Sequence, residues 1–212
     1  SRNFRASSLK PRSLVDGFVM HFKDAGLPWL FLEAFLLMGA FVTMFNYIGY
    51  RLLADPYHLS QAVVGLLSLV YLSGIYSSAK IGALADRLGR RRVLWATIVS
   101  MLGGIALTLF TPLWLVVPGM LIFTFGFFGA HSVASSWIGR RALKAKGQAS
   151  SLYLFCYYAG SSVAGTTGGF FWHLAGWNGI GAFIVALLIG ALLVALKLAK
   201  LPPLPSARDV AP

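Results

Sequence analysis

Apolar residues run almost unbroken through six stretches of this chain, and polar residues collect in the gaps between them. The runs lie near Trp29 to Leu52, Gln61 to Leu84, Val93 to Thr111, Leu113 to Ile138, Ala149 to Trp172 and Trp177 to Leu196. Crossing about 30 Å of hydrocarbon takes roughly 20 predominantly apolar helical residues, so each run predicts one transmembrane helix. Glycines and serines inside the runs agree with this, because small residues let membrane helices approach closely. Residues 1–28 are mixed and basic and read as a linker. Within them Leu14, Val15, Phe18, Val19 and Phe22 recur at helical spacing, which predicts a short amphipathic helix on the membrane surface, on a partner or on its own domain. At the other end Pro202, Pro203 and Pro205 cannot continue a helix, so residues 201–212 read as a disordered tail. The membrane domain is then 29–200, an all-α integral membrane bundle of six helices.

Charge adds an orientation. Five Lys/Arg precede the first run, and Lys80, Arg87, Arg90, Arg91 and Arg92 lie between the second and third. Arg140, Arg141, Lys144 and Lys146 lie between the fourth and fifth, and Lys197, Lys200 and Arg208 follow the sixth. The remaining gaps hold only Arg51. By the positive-inside rule both termini and the two basic loops are expected in the cytoplasm, with Trp114, Trp172 and Trp177 at the outer interface. The chain is 58% hydrophobic and 11% charged, with mean hydropathy +0.74; soluble domains carry about 25% charged residues. The net charge of +12 therefore reports topology and a lipid bilayer as partner rather than nucleic acid. Cys156 stands alone, so no intrachain disulfide forms. The chain opens on Ser1 without a signal-peptide pattern and reads as a fragment or processed product.

Gly82 to Leu94 is the densest charge cluster, with one acid, four arginines and two bracketing glycines. It matches the pattern G-x-L-a-D-R-x-G-R-R/K-x-x-L and resembles the loop between the second and third helices of each half of a major facilitator superfamily transporter. Phe41 to Tyr50, Ala130 to Gly139 and Ala145 to Tyr158 resemble the drug-efflux branch of its proton antiporters. The resemblance implies two inverted three-helix repeats forming the C-terminal half of a twelve-helix protein of the bacterial inner membrane. Its partners would be the N-terminal half, a small-molecule substrate and protons. It also implies a cytoplasmic gate built from Gly82, Asp86, Arg87, Gly89, Arg90 and Arg91, with the absent half as the expected partner of Asp86. The stretch Gly160 to Gly169 is similar to an antiporter motif but has Ala164 and Gly165 where that motif has glycine and proline, so it predicts only close helix packing.

Polar groups inside the runs should face the bundle interior, since hydrocarbon penalises them. Thr43, Asn46, Tyr47 and Tyr50 cluster on the first run, Thr124, Phe128, His131 and Ser135 on the fourth, and Tyr153 and Tyr157 on the fifth. In the family the first and fourth helices line the cavity, which makes the first two groups and Tyr157 the expected substrate contacts. Internal helix-to-helix hydrogen bonding is the alternative. For proton coupling the expected groups are Glu33, which could instead be merely solvated near the helix end, and His131, whose intrinsic pKa suits a switch near neutrality but which reads equally as a satisfied, hydrogen-bonded histidine, the coupling carboxylate then belonging to the absent half. An intramembrane protease would need a Gly-x-Ser-Gly nucleophile, a P-loop pump G-x-x-x-x-G-K-S/T, and neither occurs. No catalytic residue, metal or cofactor is expected. A stand-alone homodimer is the remaining alternative.

Overall fold

A computed structural model describes residues 11–201, all of whose regular structure is helical. The elements are α1 (Pro11–Lys23), α2 (Leu27–Leu53), α3 (Gln61–Leu66), a 3-10 turn (Leu67–Val70), α4 (Tyr71–Leu88), α5 (Arg90–Thr108), α6 (Leu113–Arg141) and α7 (Lys146–Lys200). Among the described residues, four helical stretches are long and apolar enough to cross a membrane: Leu27–Leu53, Gln61–Leu88, Leu113–Arg141 and Lys146–Lys200. Residues 1–10 of the expected linker, the Leu14 side chain and most of the expected tail, 202–212, lie outside this description.

The fifth and sixth runs are joined in α7, which spans 55 residues and breaks at Ala175 and Gly176, the latter at φ 55°. There the chain folds back. Phe171 and Phe183 stack at 4.5 Å, although twelve helical residues would hold them about 18 Å apart in a straight helix. Both arms pack on α2. Gly160 of the first arm meets Phe35 and Trp172 meets Tyr50, so that arm runs parallel to α2. In the second arm Gly190 meets Leu36 and Lys197 caps the Trp29 ring at 3.6 Å, so that arm runs antiparallel. The α5 and α6 helices are likewise antiparallel, with Gly104 against Phe123 and Arg90 bonded to Ser136. By contrast α4 runs parallel to α6, from Gly74 at Phe128 to Asp86 at Arg140.

Burial follows this arrangement. In α2, 61% of the most apolar window is enclosed, with Leu30, Ala40, Met44 and Leu52 fully buried, whereas only 17% of the Gln61–Leu88 window is. Thus α2 is the axis of the bundle and α4 lies at its edge. The second run is also less regular than its apolarity suggests. Ser68, inside the 3-10 turn, and Ser73, just after it, return their hydroxyls to the carbonyls of Gly65 and Val70, back-bonding that bends helices. At the far end Arg51 gathers the last carbonyls of α5, donating to Thr108 and to Phe110, the latter at 2.8 Å, and sits over the Tyr57 and Trp177 rings. A cation there offsets the negative end of the α5 dipole.

The first arm approaches α2 as closely as backbones allow. A Cβ built on Gly160 collides with the Phe35 carbonyl, and one on Gly39 would lie 2.9 Å from Ala164. Gly160→Leu is therefore expected to lower stability by about 1–3 kcal/mol through overpacking. Thermal unfolding in detergent checks this, and an unaltered melting curve would count against the contact.

Candidate functional site

Charged residues gather at one end of the bundle. The expected gating loop is almost entirely helix: α4 continues through Gly82, Asp86 and Arg87 to Leu88, and α5 begins at Arg90. Only Gly89 is a junction, at φ 90°, a conformation that opposes a side chain. The short helix-stop is why the arginines land on the first turn of α5. Within this chain Asp86 accepts from Arg90 at 2.5 Å and from Arg140 of α6 at 3.2 Å. Gly82 faces Ser132, and Arg91 donates to the Ala199 carbonyl near the end of α7 at 3.2 Å. Arg87 is exposed. Asp86 and Arg140 are both largely exposed, and such a pair is worth about 0–1 kcal/mol.

A firmer contact lies beside it. Asp24 caps α2 by accepting the Gly26 and Leu27 amides at 2.8 Å and also accepts from Arg141 at 2.5 Å. His21 of α1 reaches the Ala145 carbonyl at 3.2 Å. The α1 helix is thereby pinned at its C-terminal end, while Val15 and Val19 on its apolar face stay exposed and Phe22 turns its edge to Phe31.

Inside the bundle the expected site residues fall into two clusters at different heights. Toward the charged end Glu33 is fully enclosed, and neither carboxyl oxygen has a hydrogen-bond partner among the described residues. This overturns the solvated alternative. The reason is packing: α2 is enclosed by both arms of α7, so a residue near its end gains no water. Tyr153 of the first arm is buried within electrostatic reach of Glu33 and shares a 3.0 Å hydrogen bond with His131 Nδ1. The His131 ring also meets Tyr157 at 4.9 Å. Tyr153, placed beside Tyr157 by its spacing, makes the internal helix-to-helix hydrogen bond expected as the alternative for the tyrosines; the choice of His131 as partner depends on α6 and α7 meeting.

About 20 Å along α2, at 1.5 Å per residue, Tyr47, Tyr50 and Trp172 form an aromatic trio with centroids 6.0–6.2 Å apart. Tyr47 donates to the Gly165 carbonyl at 3.0 Å, and Asn46 is exposed beside Gly165. Between the clusters Phe41 stacks on Phe127 at 3.9 Å and meets Tyr71 and Phe128 edge-on. Thr43 and Thr124 are buried with hydroxyls that have no hydrogen-bond partner among the described residues, and Ser135 bonds its own helix at the Ser132 carbonyl. The fourth-run residues therefore do not present one face to one cavity. His131 turns to α7, Phe128 to α4, and Thr124 into the core.

The chain is thus a helical bundle with long apolar spans, an enclosed carboxyl, clustered interior aromatic rings and ion pairs gathered at one end. The model of the Major Facilitator Superfamily matches residues 30–211, and the chain belongs to that superfamily. It is 62% identical over 198 residues to the "Inner membrane transport protein YnfM" of Escherichia coli K12, covering 93% of this chain and 48% of that protein. It is 46% identical over 209 residues to the "Uncharacterized MFS-type transporter YybF" of Bacillus subtilis 168, covering 99% and 52%. An "Uncharacterized transporter" of Buchnera aphidicola subsp. Schizaphis graminum is 46% identical over 200 residues. The chain spans about half the length of these curated relatives. Membership points to a multi-pass membrane transporter rather than an enzyme.

The Asp24 contact makes a pH prediction. Burial pushes its carboxyl upward, but Arg141 and the two amides outweigh this and hold it below the usual carboxylate range. A lowered pKa stabilises the fold above the ordinary value of about 3.9 and ceases to as pH falls through the folded value. The melting-temperature gap between wild type and Asp24→Asn is expected to be constant near neutrality and to close below about pH 4. A gap independent of pH would show that the carboxylate charge contributes nothing.

Proposed function

We propose that this chain is the C-terminal half of a secondary active transporter of the bacterial inner membrane, exporting a small molecule by alternating access with proton antiport. In this reading its helices make six spans, arranged as two inverted three-helix repeats with both termini cytoplasmic. The N-terminal half supplies the facing wall of the cavity. The half-length match to transporter relatives supports that division, and the alternating helix directions agree with it.

The observation that carries coupling is Glu33, an enclosed carboxyl with no hydrogen-bond partner among the described residues, within electrostatic reach of Tyr153, which in turn bonds His131. An unpaired charge there is disfavoured by several kcal/mol, so the enclosed carboxyl holds its proton and releases it when the cavity opens to water. The aromatic trio and Asn46 form the substrate wall, where ring faces and few charges suit a lipophilic or aromatic molecule. Asp86 with its arginines acts as the gate, since contacts worth so little can break and re-form in each cycle.

In the full-length transporter, Glu33→Gln and His131→Ala are expected to abolish acceleration of export by an imposed pH gradient while leaving membrane insertion intact. Asp86→Asn should slow transport at equal expression. A substrate-panel export assay with and without the gradient reads both effects. Retention of gradient-driven export by both interior variants would place coupling elsewhere.

A further inference from the structure

The gate does not use all the positive charge around it. A cleft of about 540 Å³ opens at the α4–α5 junction, lined by Arg90, Arg91, Arg92, Arg140, Arg141 and Trp137. Two carboxylates answer these five guanidiniums: Asp86 takes Arg90 and Arg140, and Asp24 takes Arg141. Arg91 is held by a backbone carbonyl, and Arg92 is exposed and has no polar partner among the described residues. The first turn of α5 adds to this field, because Gly89 offers its amides no side-chain cap.

The cleft does not end at the charges. A second cavity of about 340 Å³ shares Leu88 and Arg92 with it and climbs between α4 and α5 past Leu84, Val93, Trp95 and Ala96 to Phe125 of α6. The groove exists because α4 and α5 both lean on α6 and touch each other less. Its walls are almost wholly apolar, and it faces outward from the bundle, with Leu84 and Trp95 exposed.

A basic cleft continuous with an apolar groove has the two-part shape of a phospholipid: an anionic headgroup and an acyl chain. We propose that the cleft and groove together bind an anionic phospholipid, its phosphate among Arg91, Arg92 and the α5 amides and one chain along Trp95 and Ala96. Charge complementarity selects this occupant, since basic pockets between membrane helices on the cytoplasmic side recognise acidic headgroups. Arg90 and Arg91 belong to both gate and cleft, so a bound headgroup competes with Asp86 for guanidiniums. The proposal rests on the reading above only for the choice of leaflet.

The test titrates the full-length transporter in neutral detergent with phosphatidylglycerol, with phosphatidylcholine of the same chains and with glycerol phosphate, reading bound lipid by native mass spectrometry. Phosphatidylglycerol is expected to be retained and phosphatidylcholine not. Arg92→Gln should weaken retention about five-fold, the scale for one basic side chain at an anionic surface, and Arg92→Lys should restore most of it. Ala96→Trp fills the groove without altering charge, and should weaken phosphatidylglycerol while leaving glycerol phosphate unchanged. Equal retention of both lipids, glycerol phosphate binding as tightly as the lipid, or retention unaffected by both Arg92→Gln and Ala96→Trp would each overturn the proposal. Because no transport is measured, failure of proton-coupled export would leave this result standing.

Discussion

The closeness of α2 to α7 is the constraint on which the rest depends. In hydrocarbon there is little hydrophobic reason for one helix to prefer another, so association rests on packing and a few polar contacts. Gly39, Gly160 and Ala164 let the backbones meet, and Gly168 makes room for Tyr47. With the first arm fixed there, the reversal at Ala175 and Gly176 returns the second arm to α2 from another side. Enclosure of Glu33 is a product of that packing. Were the arm held a few ångströms further out, water would reach the carboxyl and nothing would distinguish it from an interfacial acid.

Polarity is graded along the bundle. The charged end carries ion pairs that are half in solvent, while the interior substitutes aromatic edges and faces for charges. Phe41 joins α2 to α4 and α6 through Phe127, Phe128 and Tyr71, giving a stiff layer between the buried carboxyl and the open aromatic trio. Interactions at the two ends differ in kind as well as position. Arg51 makes several contacts to backbone carbonyls and rings, whereas Asp86 makes two to arginine side chains, one of them exposed.

Much of this was legible in the chain because hydrocarbon imposes a simple rule: apolar length marks helices, and basic gaps mark the ends between them. The run boundaries agree with α2, α6 and the two arms of α7 to within a few residues. Charge density in Gly82 to Leu94 suggested a loop, yet the polypeptide stays helical on both sides of Gly89, since arginine is a good helix former and only one residue needed a positive φ. Periodicity also grouped Thr124, Phe128, His131 and Ser135 as one face. A helix surrounded on several sides spreads such residues among neighbours, and which neighbour each meets depends on α4 and α7, which are distant in sequence. The same holds for Tyr153, whose spacing from Tyr157 was visible but whose bond to His131 was not.

The neighbouring arginines that end α6 carry a mechanical consequence. Consecutive helical residues point about 100° apart, and here one grips the α4–α5 junction through Asp86 while the next grips the start of α2 through Asp24. A roll or slide of α6 would disturb both grips together, so the end of this helix ties two segments about sixty residues apart in the chain. Of the two, the grip on Asp24 is buried and the grip on Asp86 is wet.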